Sequence, residues 1–149
     1  MKKYLTLIYS ALFFLSAPAI AEPLQFETQT GQTIPFDVEI AKTSEEQKQG
    51  LMNRDTLKPQ TGMLFIFDPP TKPLFWMKDT KIRLDMIYIG TDGIVTGIHE
   101  NAKPFDETPI DPPQIDSKAV LEINGGAAKK LGIAKGDKVI HTIFEKEVK

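Results

Sequence analysis

The sequence predicts a mainly β protein, a compact single-domain β-barrel or sandwich with two short helices. Three observations carry this reading. Short runs of β-branched and aromatic residues recur along the chain, with turn residues between them about every 8 to 12 positions. The stretch 62–89, GMLFIFDPPTKPLFWMKDTKIRLDMIYI, concentrates the apolar mass, including the lone tryptophan, Trp76, and three of the five methionines. Large aromatic side chains dominate core energetics through the area each buries. The chain also has no cysteine, so its stability must come from ordinary packing, and a domain of this length buries about two thirds of its unfolded surface.

Residues 1–21 have the parts of a secretory signal: Lys2 and Lys3, an apolar run over 5–15, and Ala19-Ile20-Ala21 as a small-x-small cleavage site. The run is shorter than the roughly 20 residues of a spanning helix, so a removed signal is expected rather than an anchor. The domain is then 22–149, a monomer without a membrane-spanning segment, in the periplasm or outside the cell. The formal net charge is -2, and becomes -4 once Lys2 and Lys3 are lost. Such a mixed, mildly acidic chain lacks the basic footprint of a nucleic-acid binder. Without cysteine, thiol chemistry is excluded.

In order, runs 24–30 and 33–41 flank Gly31-Gln32 and read as a hairpin, the second run alternating Phe36, Val38 and Ile40 with Asp37 and Glu39. Thr43-Ser44-Glu45-Glu46 matches the capping box, and predicts a helix of about two turns ending near Met52. Pro59, Gly62, Pro69, Pro70 and Pro73 punctuate two short strands, 63–67 and 74–77. Neither alternates, as befits strands covered on both faces. The run 85–89 does alternate, with Asp85 on the face of Ile87 and Ile89, and Asp92-Gly93 turns the chain into a strand over 94–99. The proline-rich acidic stretch 102–117 reads as a long surface loop. A strand at 120–123, a helix at 125–131, a Gly136-Asp137 turn and a final strand at 139–144 complete about eight strands.

The ordered segments VEIAKTSEEQKQGLMNRDTL, GMLFIF, FWMKDTKIRLDMIYI, IHENAKP and AVLEINGGAAKKLGIAKGDKV resemble the family known as domain of unknown function 192, also called uncharacterised protein family 0127. The resemblance runs over 26–141. It implies an exported, compact, barrel-like β domain with no enzymatic activity attached. Asp79 stands where the family usually has asparagine, and Arg83 where it usually has proline. If that asparagine amide shapes a pocket, Asp79 adds charge there.

The residue inventory narrows the chemistry. Beyond the leader there are two serines, Ser44 and Ser117, and two histidines, His99 and His141, placed nowhere near the pattern of a nucleophile, base and orienter. The same two histidines fall short of a zinc site, and read better as strand-edge residues with one nitrogen bonded. Asp85 and Glu122 share strand faces with apolar neighbours, where a carboxylate must find a partner or shift its pKa. Arg54 is the expected partner, with a guanidinium fork that suits a carboxylate.

The favoured function is an exported, non-catalytic binding or envelope accessory domain. Its pocket would be formed by Arg54, Trp76, Lys78, Thr80, Asp85 and Glu122, for a small polar ligand or an envelope component. No cofactor or metal is expected. In the structural alternative the same charges form a buried ion pair. In an enzymatic alternative Asp85 and Glu122 act as acid and base on a glycan or ester. In a third, Met52, Met63, Met77 and Met86 with Trp76 bind Cu(I) through thioethers, although methionine is also the ordinary filler of irregular cores. The segment GAAKKLGIAKGDKV has the helix-then-turn shape seen in peptide-binding domains, which warrants geometry and not function.

Overall fold

Residues that alternate apolar and polar along a strand put one face against a core. In β1 (Glu22–Glu27) Leu24 and Phe26 are that face, and in β2 (Thr33–Ala41) Ile34, Phe36 and Val38. The two strands pair antiparallel, Leu24 opposite Phe36, and the rings of Phe26 and Phe36 meet edge to face at 5.6 Å. Gly31, at φ +83°, makes the turn between them. A computed structural model describes residues 21–145 in this way. All but Ala21 of the expected signal, and the tail after Glu145, lie outside the described residues.

The capping box forms as the sequence predicts. The Thr43 hydroxyl accepts from the Glu46 amide at 3.2 Å, and the Glu46 carboxylate accepts from the Thr43 amide at 2.8 Å. The helix it starts, α1 (Ser44–Gln49), stops short of Met52, because Gly50 takes φ +47° and closes it with a bond to the Glu46 carbonyl. This helix carries the chain across to β3 (Thr61–Thr71), which lies parallel to β2.

β4 (Leu84–Ile89), β5 (Val95–Ala102), β6 (Ser117–Asn124), α2 (Ala127–Leu131) and β7 (Lys138–Ile140) follow. The strands form one seven-stranded sheet in the order β5-β4-β6-β3-β2-β1-β7. The sheet curls into a half-barrel, and its edges meet at one end: the Val139 amide donates to the Gly93 carbonyl at 2.8 Å, and the Val95 amide to the Asp137 carbonyl at 2.9 Å. The Asp137 carboxylate fixes this corner by accepting from the Gln29 and Ala134 amides at 3.0 and 2.8 Å.

Two strand expectations are corrected. Run 74–77 contributes only a single bridge, Phe75 with Ile110 of the long loop, because the Phe75 ring packs edge to face on Phe65 and Tyr88 instead of extending the sheet. The last strand ends at Ile140, and the chain turns at Thr142–Phe144, where the His141 ring nitrogen accepts from the Ile143 amide. Seven strands therefore stand among the described residues where eight were expected.

The enclosed face holds a core that draws on every strand, from Val95 through Ile87, Leu121, Leu64, Phe36 and Phe26 to Val139. The opposite face of β3, β6 and β4 holds a second apolar cluster, Met63, Phe65, Val120, Met86 and Tyr88, covered by Leu51, Met77 and Ile110 from the connections. All six residues of β4 are buried as a result. Among the described residues no helix is long and apolar enough to cross a membrane.

β3 lies tight against β6 at Gly62, where an added methyl group would press on the backbone carbonyl oxygen of Glu122 and touch the side chains of Leu121 and Ile123. Gly62→Ala is expected to cost about 2 kcal/mol, read as a lower urea midpoint with the slope unchanged; an unaltered midpoint would show that the two strands separate freely.

Candidate functional site

Residues directly opposite each other in a sheet project to the same face. On the outer face one transverse row runs Glu39, Met63, Glu122, Met86, His99 across β2, β3, β6, β4 and β5. Glu39 and Glu122 therefore share a face, two strands or about 10 Å apart. A single arginine comes to this row. Arg54, on the turn after α1, grips Glu39 through both nitrogens at 2.5 and 2.6 Å, and this bond holds the Glu39 carboxyl below its ordinary range.

The expectation that Arg54 pairs with Asp85 or Glu122 is thus corrected. The β2–α1–β3 crossover returns Arg54 over its own strand, within reach of the nearer and more accessible carboxylate. Because the pair is partly exposed, its contribution to stability is about 1 kcal/mol or less.

Asp85 lies on the other face. It stands opposite Ile123 while its neighbour Met86 stands opposite Glu122, so the two carboxylates point to opposite sides of the sheet. The fully buried Asp85 carboxylate accepts three backbone bonds, from Asn101 and Gly126 at 2.7 and 2.8 Å and from Ala128 at 2.9 Å. These tie β4 to β5 and to the start of α2. Asp85 is a backbone cap, and Asp85 with Glu122 is not a catalytic pair. Asp85→Asn, which turns an amide group toward one of those N–H donors, is expected to lower stability by about 3 kcal/mol. Thermal denaturation checks this; a loss near zero would return Asp85 to the list of chemical groups.

Glu122 is 4% exposed and has no hydrogen-bond or ion-pair partner among the described residues. It lies in the floor of a cleft of about 270 Å³ between the end of α1 and the segment 73–76. Phe65 and Phe67 rise from β3, Leu51 and Met52 from the turn after α1, and Phe75 and Trp76 from the opposite bank. Phe75 stands edge to face between Phe65 and Tyr88, at 5.2 and 6.3 Å. Gln47 holds the helix over this floor by donating to the Ile66 carbonyl at 2.7 Å. Burial pushes the Glu122 carboxyl up to about 8. The Tyr88 hydroxyl, also buried and without a hydrogen-bond partner among the described residues, is pushed up to about 12 by burial, then by the charges of Glu122 and Asp111.

Of the six residues expected to bind ligand, the cleft gathers Trp76, Thr80 and Glu122. Trp76 is half exposed at the mouth, and the Lys78 ammonium sits 6.0 Å from its ring centre. Thr80 is buried, and its hydroxyl donates to the Lys78 carbonyl. Arg54 and Asp85 are not part of the lining. Asp79 is exposed at φ +51°, so the Asn-or-Asp preference at this position follows from a left-handed turn rather than from pocket chemistry. Arg83 lends its carbonyl to the Gly125 amide, a bond that proline can make equally well.

Met63, Met77 and Met86 belong to the apolar cluster, and among the described residues no group of three or more His, Asp or Glu is arranged to hold a metal. Tyr88, Phe65 and Gln47 were not singled out from the sequence. The alternation of 85–89 already put Met86 and Tyr88 on the face opposite Asp85.

The raised Glu122 carboxyl sets a pH dependence. The unfolded chain ionises near 4.5 and the folded one near 8, so between those values the folded state keeps a proton that the unfolded state has lost. Stability then falls as pH rises, at up to about 1.4 kcal/mol per unit. Glu39 acts in the opposite sense and only below its ordinary range. Glu122→Gln is expected to flatten the fall between pH 5 and 8 in urea titrations; an identical slope in the variant would assign it to other groups.

The chain belongs to the family described as Uncharacterized ACR, domain of unknown function 192, whose profile matches residues 26–141. No match is found among curated proteins. Among the solved structures that share the fold are the following two. A protein of Sinorhizobium meliloti, described as a candidate transcription regulator, is 38% identical with a TM-score of 0.80, over 84% of this chain and 96% of that one. A protein of unknown function from Novosphingobium aromaticivorans is 43% identical with a TM-score of 0.78, over 85% of this chain and 94% of that one.

Proposed function

We propose that this member of the domain of unknown function 192 family is an exported, non-catalytic binding module that holds a small ligand in the cleft above Glu122. One observation carries the reading: a buried carboxyl with no partner among the described residues forms the floor of an aromatic-walled cleft. Isolated buried polar groups are costly, and they gather where a ligand completes them. Apolar walls with a few convergent polar groups are the usual make-up of a small-molecule site. The volume, at the low end of such sites, suits a ligand much smaller than a glycan chain. Export rests on the sequence of residues 1–21.

The acid–base alternative needed a second carboxylate beside Glu122, and Asp85 points away from it. The copper alternative needed accessible thioethers, and three of the four are buried among apolar side chains. A nucleic-acid partner is not carried over from the Sinorhizobium protein, since the chain is acidic, with a pI near 5.7.

Trp76 is the lone tryptophan, so its fluorescence reports directly on the mouth of the cleft. A library of small ligands is expected to yield compounds that shift its emission, and protein incubated with envelope extract is expected to release a bound molecule on mild unfolding. A silent library together with a clean mass spectrum would overturn the proposal.

A further inference from the structure

Resting on that reading, we infer that the cleft takes a small organic ammonium, its cationic head against the Glu122 carboxylate and its apolar part between Phe65, Phe75 and Trp76. The argument is one of complementarity. Glu122, 4% exposed, makes no side-chain hydrogen bond or ion pair among the described residues, and it is the one carboxylate in the lining of the cleft. Thr80 has spent its hydroxyl on the Lys78 carbonyl, and Gln47 its amide on the Ile66 carbonyl. The floor thus offers acceptor oxygens with no protein cation to meet them. An ammonium supplies donors and charge together, and the faces of surrounding aromatic rings favour a cation further.

The remaining charges around Glu122 agree with this. From β2, Glu39 is held by Arg54, so that guanidinium is already committed. From α1, Lys48 lines the cleft at its exposed rim, and from segment 73–80 Lys78 lies over Trp76. From β5, His99 ends the same transverse row, and Asp111 of the long loop adds negative charge near Tyr88. An anionic ligand would meet the Lys48 and Lys78 rim but would then have to settle against Glu122. A cation passes a weakly repulsive, hydrated rim to reach an uncompensated floor.

Proton linkage follows. The empty cleft holds Glu122 protonated at neutral pH, its carboxyl pushed up to about 8 by burial, so an ammonium binds as that proton leaves to solvent. Affinity should therefore rise about tenfold per pH unit from 6 to 7 and less steeply toward 8, with close to one proton released per ligand bound at pH 6 and about half at pH 8.

The probes are phenethylammonium, the quaternary benzyltrimethylammonium, which carries no proton of its own, neutral phenethyl alcohol and anionic phenylacetate. Binding to the full chain is followed by Trp76 fluorescence, and by calorimetry in two buffers of different protonation enthalpy. Both cations are expected to bind at least tenfold more tightly than the alcohol at pH 8, with the pH slope and proton release above. Glu122→Gln, which removes only the charge, should lose at least tenfold in cation affinity and become independent of pH. If the alcohol or phenylacetate binds as well as the cations, or the cations bind without a pH slope and equally to Glu122→Gln, the ammonium inference fails while the small-ligand reading stands. If every probe is silent while the wider library yields ligands, it fails likewise; if both are silent, both readings fail.

Discussion

The constraint on which the rest of the molecule depends is that the three central strands β3, β6 and β4 are apolar on both faces. One face is satisfied by the curl of the sheet, which wraps β1, β2 and β7 around a core drawn from every strand. The other must be covered by something else. Among the described residues there are only two short α-helices, so the cover comes from the connections: the turn after α1, the segment carrying Phe75 and Met77, and Ile110 of the long loop. Irregular segments carry many backbone polar groups and cannot tile a flat face as a helix would. A gap is left where two of them approach each other. Glu122 lies beneath that gap, which is why a carboxyl on a core strand has neither a partner among the described residues nor free access to water.

Much of the architecture could be read from residue order. The alternation in 33–41, the capping box at Thr43 and the Asp92-Gly93 turn each report a local preference, and each element forms where that preference points. The family resemblance, carried by ordered motifs rather than by composition, holds over the same residues. The eighth strand fails for a reason that is not local. Leu74 to Met77 has the right residue types, but Phe75 turns its ring onto Phe65 and Tyr88 and bridges the loop at Ile110, and covering the outer face prevails over extending the sheet.

The polar residues were harder to read because pairing among charges is decided by topology. Alternation correctly put Asp85 with Ile87, and Glu122 with Val120, on their strand faces. It could not say that the register of β4 against β6 sets those two faces on opposite sides of the sheet. Nor could it say that the crossover after β2 is parallel, which brings Arg54 back over Glu39. A glutamate on the wet face of the strand that precedes the crossover was the available clue. Trp76, Thr80 and Glu122 remained together because they belong to the cover and the floor of one cleft.

The corner where Val139 and Gly93 join has a bearing on how this chain meets other copies of itself. An open sheet ends in rows of unsatisfied amides and carbonyls that invite strands from neighbouring molecules. Here β7 is three residues long, and its outward groups are spent on the β4–β5 turn, with the Asp137 carboxylate locking the join. The far edge strand, β5, gives its first amide to the same corner and so leaves less ladder exposed. By fastening its own borders together, the fold discourages fibre growth without recourse to disulfide staples.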